Sequence, residues 1–402
     1  MRVVIIANFT RVLDGERENR FSYLADAFAT RGHEVELVIT DFYHGTKSSR
    51  PTPLYEKYPF KITMCHEPGY SKNVSIKRLY SHYIWGRNVR KHLEHIDKPD
   101  VIYCAMPSLT AAGKAADYCR KNKIKFVTDL QDLWPEAFQM AIHNKYLQKL
   151  FFPMEMLANR SYRQSNLAVA VSDTYVNRTL SVNKTGAKGL SVFLGHDGAL
   201  FDAGVGKYKV ARKDDELLLC YIGSMSESYD IPSVLEALKI VKEKNLSKQP
   251  IKFVLIGDGA FRTKFEEIAK KVYPNSTFLG RKPYEEMAGL LSSCDIAINP
   301  IVKGSVASII NKVGDYAQAG IPVINTQESP EYRSLVESYG CGLNCECGNP
   351  ESIAESIGKL ASNAELREKM GNASSRLSGD KFDRRTTYWK IIEAVEGLVE
   401  GY

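Results

Sequence analysis

Continuous apolar runs, each about one strand long and separated by helical patterns, constrain this chain more than any other feature. The first is VVIIAN near the start, a run without alternation, as expected for a strand buried on both faces. Phe21, Leu24, Ala25 and Phe28 then follow the i, i+3, i+4, i+7 spacing of a helix facing a sheet. Gly32 ends that helix and VELVIT resumes as a strand, completing a βαβ unit. Further runs stand at VIYCAM (101–106), KFVTDL (125–130) and LAVAVS (167–172). The second half repeats the design with LLLCYIGSM, a helix near 231–245, KFVLIGDG, a helix near 261–272, DIAINP, a helix near 308–319, and PVINT. Strands alternating with helices predict parallel sheets covered on both faces, an α/β fold.

A chain of 402 residues accommodates two such domains. The polar, glycine-bearing stretch from about 195 to 215 is expected to link them. In open sheets ligands bind outside the carboxyl ends of the strands, so two facing sheets are expected to hold substrate in the cleft between them. The final segment FDRRTTYWKIIEAVEGLV reads as helical and is expected to pack back across the first domain.

Charge divides unevenly. Residues 1–200 carry 28 Lys and Arg against 19 Asp and Glu, whereas the remainder carries 26 against 28. The basic first half points to an anionic surface or acceptor. No run of about 18 apolar residues suits a membrane span, and the start MRVVIIANF reads as a buried strand rather than a signal peptide. The eight Cys (65, 104, 119, 220, 294, 341, 345 and 347) lie in apparent core elements, which suits a reducing cytosol. Cys341, Cys345 and Cys347 are the tightest group, but a metal site needs a fourth ligand and no His lies nearby.

The strongest candidate site is GSVASIINKVGDYAQAGIPVINTQESPEY (304–332). Small residues including Ser305 and Ser308 lead into a helix, where free backbone N–H groups and the positive dipole end suit a phosphate. Lys312 in the first turn opposes the helix dipole unless a bound diphosphate reverses that penalty. Asp315 follows Asn311 by four residues, placing both on about one helical face, and a carboxylate there can accept from a ribose diol. A surface helix with incidental charges is the alternative for these residues.

This block resembles the donor-site signature of retaining glycosyltransferases of family 4, which adopt the GT-B fold of two Rossmann-like parallel-sheet domains facing across a cleft. Asp315, Gly320 and Pro322 keep the frame of the family's second acid, with Asp for Glu, while Ala307 stands where many members have a first Glu. Asn311 and Lys312 resemble a subgroup, found among capsule and O-antigen-type enzymes, with an Asn-Lys pair ahead of the second acid. YIGSMSESYDIPSVLEAL (221–238) resembles the family's phosphate-facing Gly loop, with Gly223 and Ser224 at its tip. That loop's usual Arg and Lys are absent, leaving Lys312, then Lys303, to neutralise a diphosphate. VLIGDGAFR, containing Gly257, resembles the Gly-Asp-Gly turn, and FLGRKPYEEM resembles the segment that meets the base near Arg281 and Lys282. Glu331 matches a Glu of the family, and Gly15 stands where members carry a Gly-rich loop near the donor phosphates.

In the first half DLQDLWPE resembles the subgroup's Asp-Leu-Trp-Pro segment, with Gln131 where many members place a His beside Asp132. A loop pinned to the core by Trp134, with Asp132 as a helix cap, is the other reading. The resemblance implies an acceptor domain over 1–198, a donor domain over 199–383, and residues 384–402 returning to the first. It implies transfer of a sugar with retention, with no cofactor beyond the substrate, a UDP-sugar or alternatively a GDP-sugar. A lipid-linked or other glycan is the expected acceptor. Lys312, Gln131 and Asp132 are the expected catalytic groups. Basic and aromatic residues mix in 75–95 and 143–163, which suits contact with the inner face of the plasma membrane by a cytoplasmic protein. No nucleic-acid motif accompanies the charge. A nucleotide-sugar epimerase of the same fold and a binding protein with a decayed donor site are the competing functions.

Overall fold

A computed structural model describes residues 1–10, 19–50, 57–73, 75–136, 151–304 and 309–401. It divides into one unit of Met1–Leu194 with Tyr388–Tyr402 and a second of Gly195–Thr387.

The first unit is built on β1 (Arg2–Ile6), β2 (Glu34–Thr40), β5 (Lys61–Cys65), β6 (Val101–Met106), β7 (Lys125–Leu130), β8 (Leu167–Ala170) and β9 (Lys188–Ser191), with a small hairpin of β3 (Phe42–Tyr43) and β4 (Ser48–Ser49) beside them. The sheet order is β5-β2-β1-β6-β7-β8-β9 and every pairing in it is parallel. Val3, Val4, Ile5 and Ile6 are wholly buried because the β-branched run packs against helices on both faces. The helix Trp389–Glu400 returns to this unit: Ile391, Ile392 and Val395 join the core built around β1 and the helix Arg20–Thr30. Tyr388 anchors the return by donating a 2.6 Å hydrogen bond to the Leu194 carbonyl.

The second unit contains β10 (Leu217–Ile222), β11 (Ile251–Ile256), β12 (Ser276–Gly280), β13 (Ile296–Asn299), β14 (Val323–Asn325) and β15 (Gly342–Asn344). Their order is β12-β11-β10-β13-β14-β15, again all parallel. The order reverses between β10 and β13, which is where a doubly wound sheet opens its ligand crevice.

The 195–215 stretch, expected to link the two domains, begins at the unit boundary and carries a helix, Gly198–Asp202, with Phe201 fully buried, while Val210 N donates 2.9 Å to Ser293 Oγ. Gly204 and Gly289 make that packing feasible: a Cβ on Gly204 would fall 2.0 Å from the Glu285 carbonyl oxygen. The helix expected near 308–319 is shorter, Lys312–Gln318, with Asn311 in helical geometry ahead of it. Strands β5, β9 and β12 have weak or interrupted apolar patterns and are absent from the sequence reading.

Candidate functional site

The crevice of the second unit is formed where β10 runs into Gly223. Gly223 has φ of +126° and Gly257, at the end of β11, has +147°, conformations that side chains rarely adopt. The two loops touch: a Cβ on Gly257 would lie 1.8 Å from the Gly223 carbonyl oxygen. Their backbones are tied by Gly223 N to Ile256 O and Met225 N to Asp258 O, both 2.9 Å. These glycines bring bare backbone to the carboxyl ends of adjacent strands.

Lys312 enters this corner from the start of its helix. Its ammonium lies 4.0 Å from the ring centre of Tyr221 and 3.7 Å from that of Tyr229. It is buried and has no hydrogen-bond partner among the described residues. Burial pushes its pKa well below the usual lysine value. The rings offer cation–π contact, but no carboxylate among the described residues compensates the charge, so the side chain is suited to an anion that enters the crevice.

Asp315, one turn on, is 5 % exposed, and one of its oxygens accepts a 2.6 Å hydrogen bond from Tyr284. Asn311 is exposed although it shares the helical spacing, because it stands before the helix begins. Ser224 is exposed and its carbonyl accepts 2.6 Å from Tyr221. Lys282 is paired with Glu286 at 2.7 Å, and Arg281 and Lys303 are exposed. Glu331 lies half-buried in the first turn of Pro330–Tyr339. Gly15, Ser305 and Ser308 lie outside the described residues.

Sequence reasoning missed Tyr221, Tyr229 and Tyr284. Each contacts Lys312 or Asp315 across 31 to 91 positions, a proximity that only the folded sheet creates.

A second site lies in the first unit, a cavity of about 240 Å³ at the carboxyl ends of β6 and β7. The structure brings Gln131 and Asp132 together there with Phe9, Arg78, Ser108 and Trp134. Burial raises the Asp132 carboxyl above its ordinary range. His82 stacks on Trp134 at 6.2 Å with rings 8° from parallel, and burial holds it neutral with a pKa lowered to about 3. Among the described residues no group of three or more His, Cys, Asp or Glu is placed to hold a metal, and all eight Cys are buried and free.

Residues 207–376 match the family model described as glycosyl transferases group 1, and residues 18–186 match that of glycosyltransferase family 4. The fold is GT-B, and its two halves are glycosyltransferase domains. No curated protein matches the sequence. Among solved structures, this glycosyltransferase is similar to Alr3699/HepE of Anabaena in complex with UDP, with TM-score 0.70 at 14% identity, covering 99% of this chain and 100% of that one. It is similar also to sucrose-phosphate synthase from Thermosynechococcus elongatus, with TM-score 0.70 at 14% identity over 100% of both chains. WaaG, a glycosyltransferase involved in lipopolysaccharide biosynthesis, gives TM-score 0.63 at 17% identity over 98% of this chain and 100% of that one. At such identities the agreement is one of fold, while residue roles rest on the site itself.

Proposed function

We propose that this glycosyltransferase moves a sugar from a nucleotide diphosphate, a UDP-sugar first and a GDP-sugar as the alternative, to a hydroxyl of a lipid-linked glycan with retention. The observation that carries this reading is the buried, uncompensated ammonium of Lys312 beside Gly223, at the point where the strand order reverses. A diphosphate there supplies the missing negative charge, and the ammonium meets the charge that develops as the nucleotide leaves. The bond from the sugar's anomeric carbon to phosphate breaks while a bond to the acceptor oxygen forms on the same face. The acceptor's proton passes to the departing phosphate oxygen.

Gly223, Ser224 and Gly257 line the approach of the phosphates, with Lys303 as a further cation, while Gly15, Ser305 and Ser308, outside the described residues, are carried forward from the sequence as proposed donor contacts. Asn311, Asp315 and Glu331 hold the nucleoside ribose and the donor sugar, and Arg281 and Lys282 flank the base. Asp315 keeps one oxygen for this task, since Tyr284 occupies the other. Gln131 and Asp132 hold acceptor hydroxyls in the first unit's cavity. No helix among the described residues is long and apolar enough to cross a membrane. Contact with an anionic bilayer is instead proposed through the helices Ile76–Leu93 and Phe152–Tyr162. On these helices Ile76, Leu79, Tyr80 and Met156 are exposed, and Arg90 and Arg160 line a depression with Lys114, Arg120, Lys121 and Asp117.

Incubation with a panel of nucleotide sugars and short lipid-linked acceptors, read by mass and by the product's anomeric NMR signal, tests the reading. A glycosylated acceptor with the donor's anomeric configuration is expected. Inversion would remove the retaining mechanism. Donor epimerised without acceptor, or no product with any donor, would overturn the transferase reading.

A further inference from the structure

The first unit's cavity is unusual in the kind of polar atom left unsatisfied around it. Three lining residues, Arg78, Ser108 and Gln131, each hold a buried donor without a hydrogen-bond partner among the described residues: Nε, the hydroxyl and Nε2 respectively. Unmade hydrogen bonds at buried donors are costly, so such a set fits a ligand rich in acceptor oxygens. Ser108 is 1 % exposed and Arg78 8 %.

Arg78 carries the argument further. Its guanidinium donates 2.7 Å to the Asn73 carbonyl and stands over the rings of Trp134 at 4.5 Å, Tyr70 at 5.4 Å and Phe9 at 5.7 Å. Among the described residues no carboxylate lies within ion-pair distance of it. The nearest buried acid, Glu67, is engaged by Asn8 and Ser81, both at 2.9 Å. His44, also on the wall, is held by Tyr70 and by Lys47, which adds a further cation behind it. Among the described residues Asp132 is the one acid that lines the cavity. Phe9 supplies an apolar ring of the kind that sugar rings cover, and Trp134, which already carries Arg78 and His82, backs the guanidinium.

We infer that this cavity binds a monosaccharide unit bearing an anionic group, a carboxylate or a phosphate, with the anion on Arg78, Ser108 and Gln131 and a hydroxyl toward Asp132. The inference rests on the transferase reading, in which this unit is the acceptor of the sugar. A planar guanidinium is suited to either anion through paired N–H donors. The volume of about 240 Å³ admits one sugar ring, so selection falls on the terminal residue of the acceptor.

The chain's three Trp make 5-fluorotryptophan ¹⁹F NMR a direct probe, with the Trp134 signal assigned by Trp134→Phe. Glucuronate, glucose 1-phosphate and glucose are titrated in turn. Glucuronate, glucose 1-phosphate or both are expected to move the Trp134 signal at concentrations at least ten-fold below glucose, and whichever does so names the anion. Arg78→Gln is expected to remove that preference, and Gln131→Glu to reverse it by replacing a donor with a like charge. UDP binding to the second unit should persist in both variants and reports that they are folded. Equal response to glucose, or an unchanged preference in folded Arg78→Gln and Gln131→Glu, overturns the inference. Absence of UDP binding in the wild type would instead defeat the donor reading.

Discussion

The ammonium of Lys312 occupies the space that a side chain at Gly223 would require: a Cβ there would come within 2.8 Å of Nζ. The positive φ of +126° favours glycine here, and the pair forms a corner where bare backbone and a buried cation meet. A buried charge without a counter-ion is costly to the folded protein, so the corner is tuned toward a ligand at the expense of stability.

Replacing Lys312 by Met should separate these two effects. Loss of the desolvated ammonium outweighs the loss of its ring contacts, so nucleotide-free protein should gain about 1 kcal/mol in urea denaturation. Because the folded pKa lies below the usual 10.5, the unfolded chain binds more protons between the two values. Wild-type stability should accordingly rise with pH through that window, up to about 10.5. Diphosphate binding should raise the lysine's pKa again, giving proton uptake within that window, visible in calorimetry in buffers of different ionisation heat, and Lys312→Met should show none. A destabilised Met variant, or equal proton uptake, would contradict this.

Arg20 and Asp129 form a 2.6 Å ion pair whose side chains are 1% and 0% exposed. Tyr103 donates 2.6 Å to the same carboxylate oxygen, and Arg20 also reaches the Val192 and Phe193 carbonyls and stands 4.9 Å over Tyr388. Arg20→Met leaves Asp129 buried without its cation and should cost about 3–5 kcal/mol. Hydrogen exchange should show the helix Trp389–Glu400 opening more readily, since its entry residue Tyr388 loses a support. A loss below 1 kcal/mol would mean that the cluster relaxes around the deletion.

His82 gives the protein an acid-sensitive element. Burial, then Arg78 and His44, lower its pKa from 6.5 to about 3, with Glu67 3.9 Å away as the facing acid. The unfolded chain therefore takes up a proton that the folded one refuses as pH falls below about 6.5. The loss of stability should approach at most about 1.4 kcal/mol per pH unit from this residue. His82→Phe keeps a ring against Trp134 and should flatten the decline between pH 6.5 and 4.5. Parallel urea midpoints for both proteins would refute the assignment.

Membrane contact has its own signature. Binding to vesicles with anionic headgroups should weaken as salt rises, because Arg90, Lys114 and Arg120 contribute the attraction. Leu79→Glu, at a residue 51% exposed, should reduce binding several-fold without altering the folding transition. Equal binding to neutral and anionic vesicles would argue against the basic depression.

The fold was legible wherever burial on both sheet faces forces an unbroken apolar run, as in VVIIAN, VIYCAM and KFVTDL. Strands β9 and β12 escaped because their residues are only partly buried and carry mixed polarity. At the site, Lys312 and Asp315 were legible from type and spacing and Gly223 and Gly257 through the family resemblance, their donor roles remaining proposals, while Gln131 and Asp132 line one cavity. The tyrosines around Lys312 and Asp315 were not, since Tyr221, Tyr229 and Tyr284 reach them only through strand order and loop packing. Arg78 was legible as part of a basic and aromatic stretch, but its burial against Trp134 depends on a contact 56 positions away.

A crystal structure with uridine diphosphate bound decides the role of Lys312. The diphosphate is expected beside Gly223 and Gly257, with Lys312 Nζ drawn from the Tyr221 and Tyr229 rings to within about 3 Å of a phosphate oxygen. A nucleotide seated elsewhere, with Lys312 still enclosed by the two rings, would contradict it.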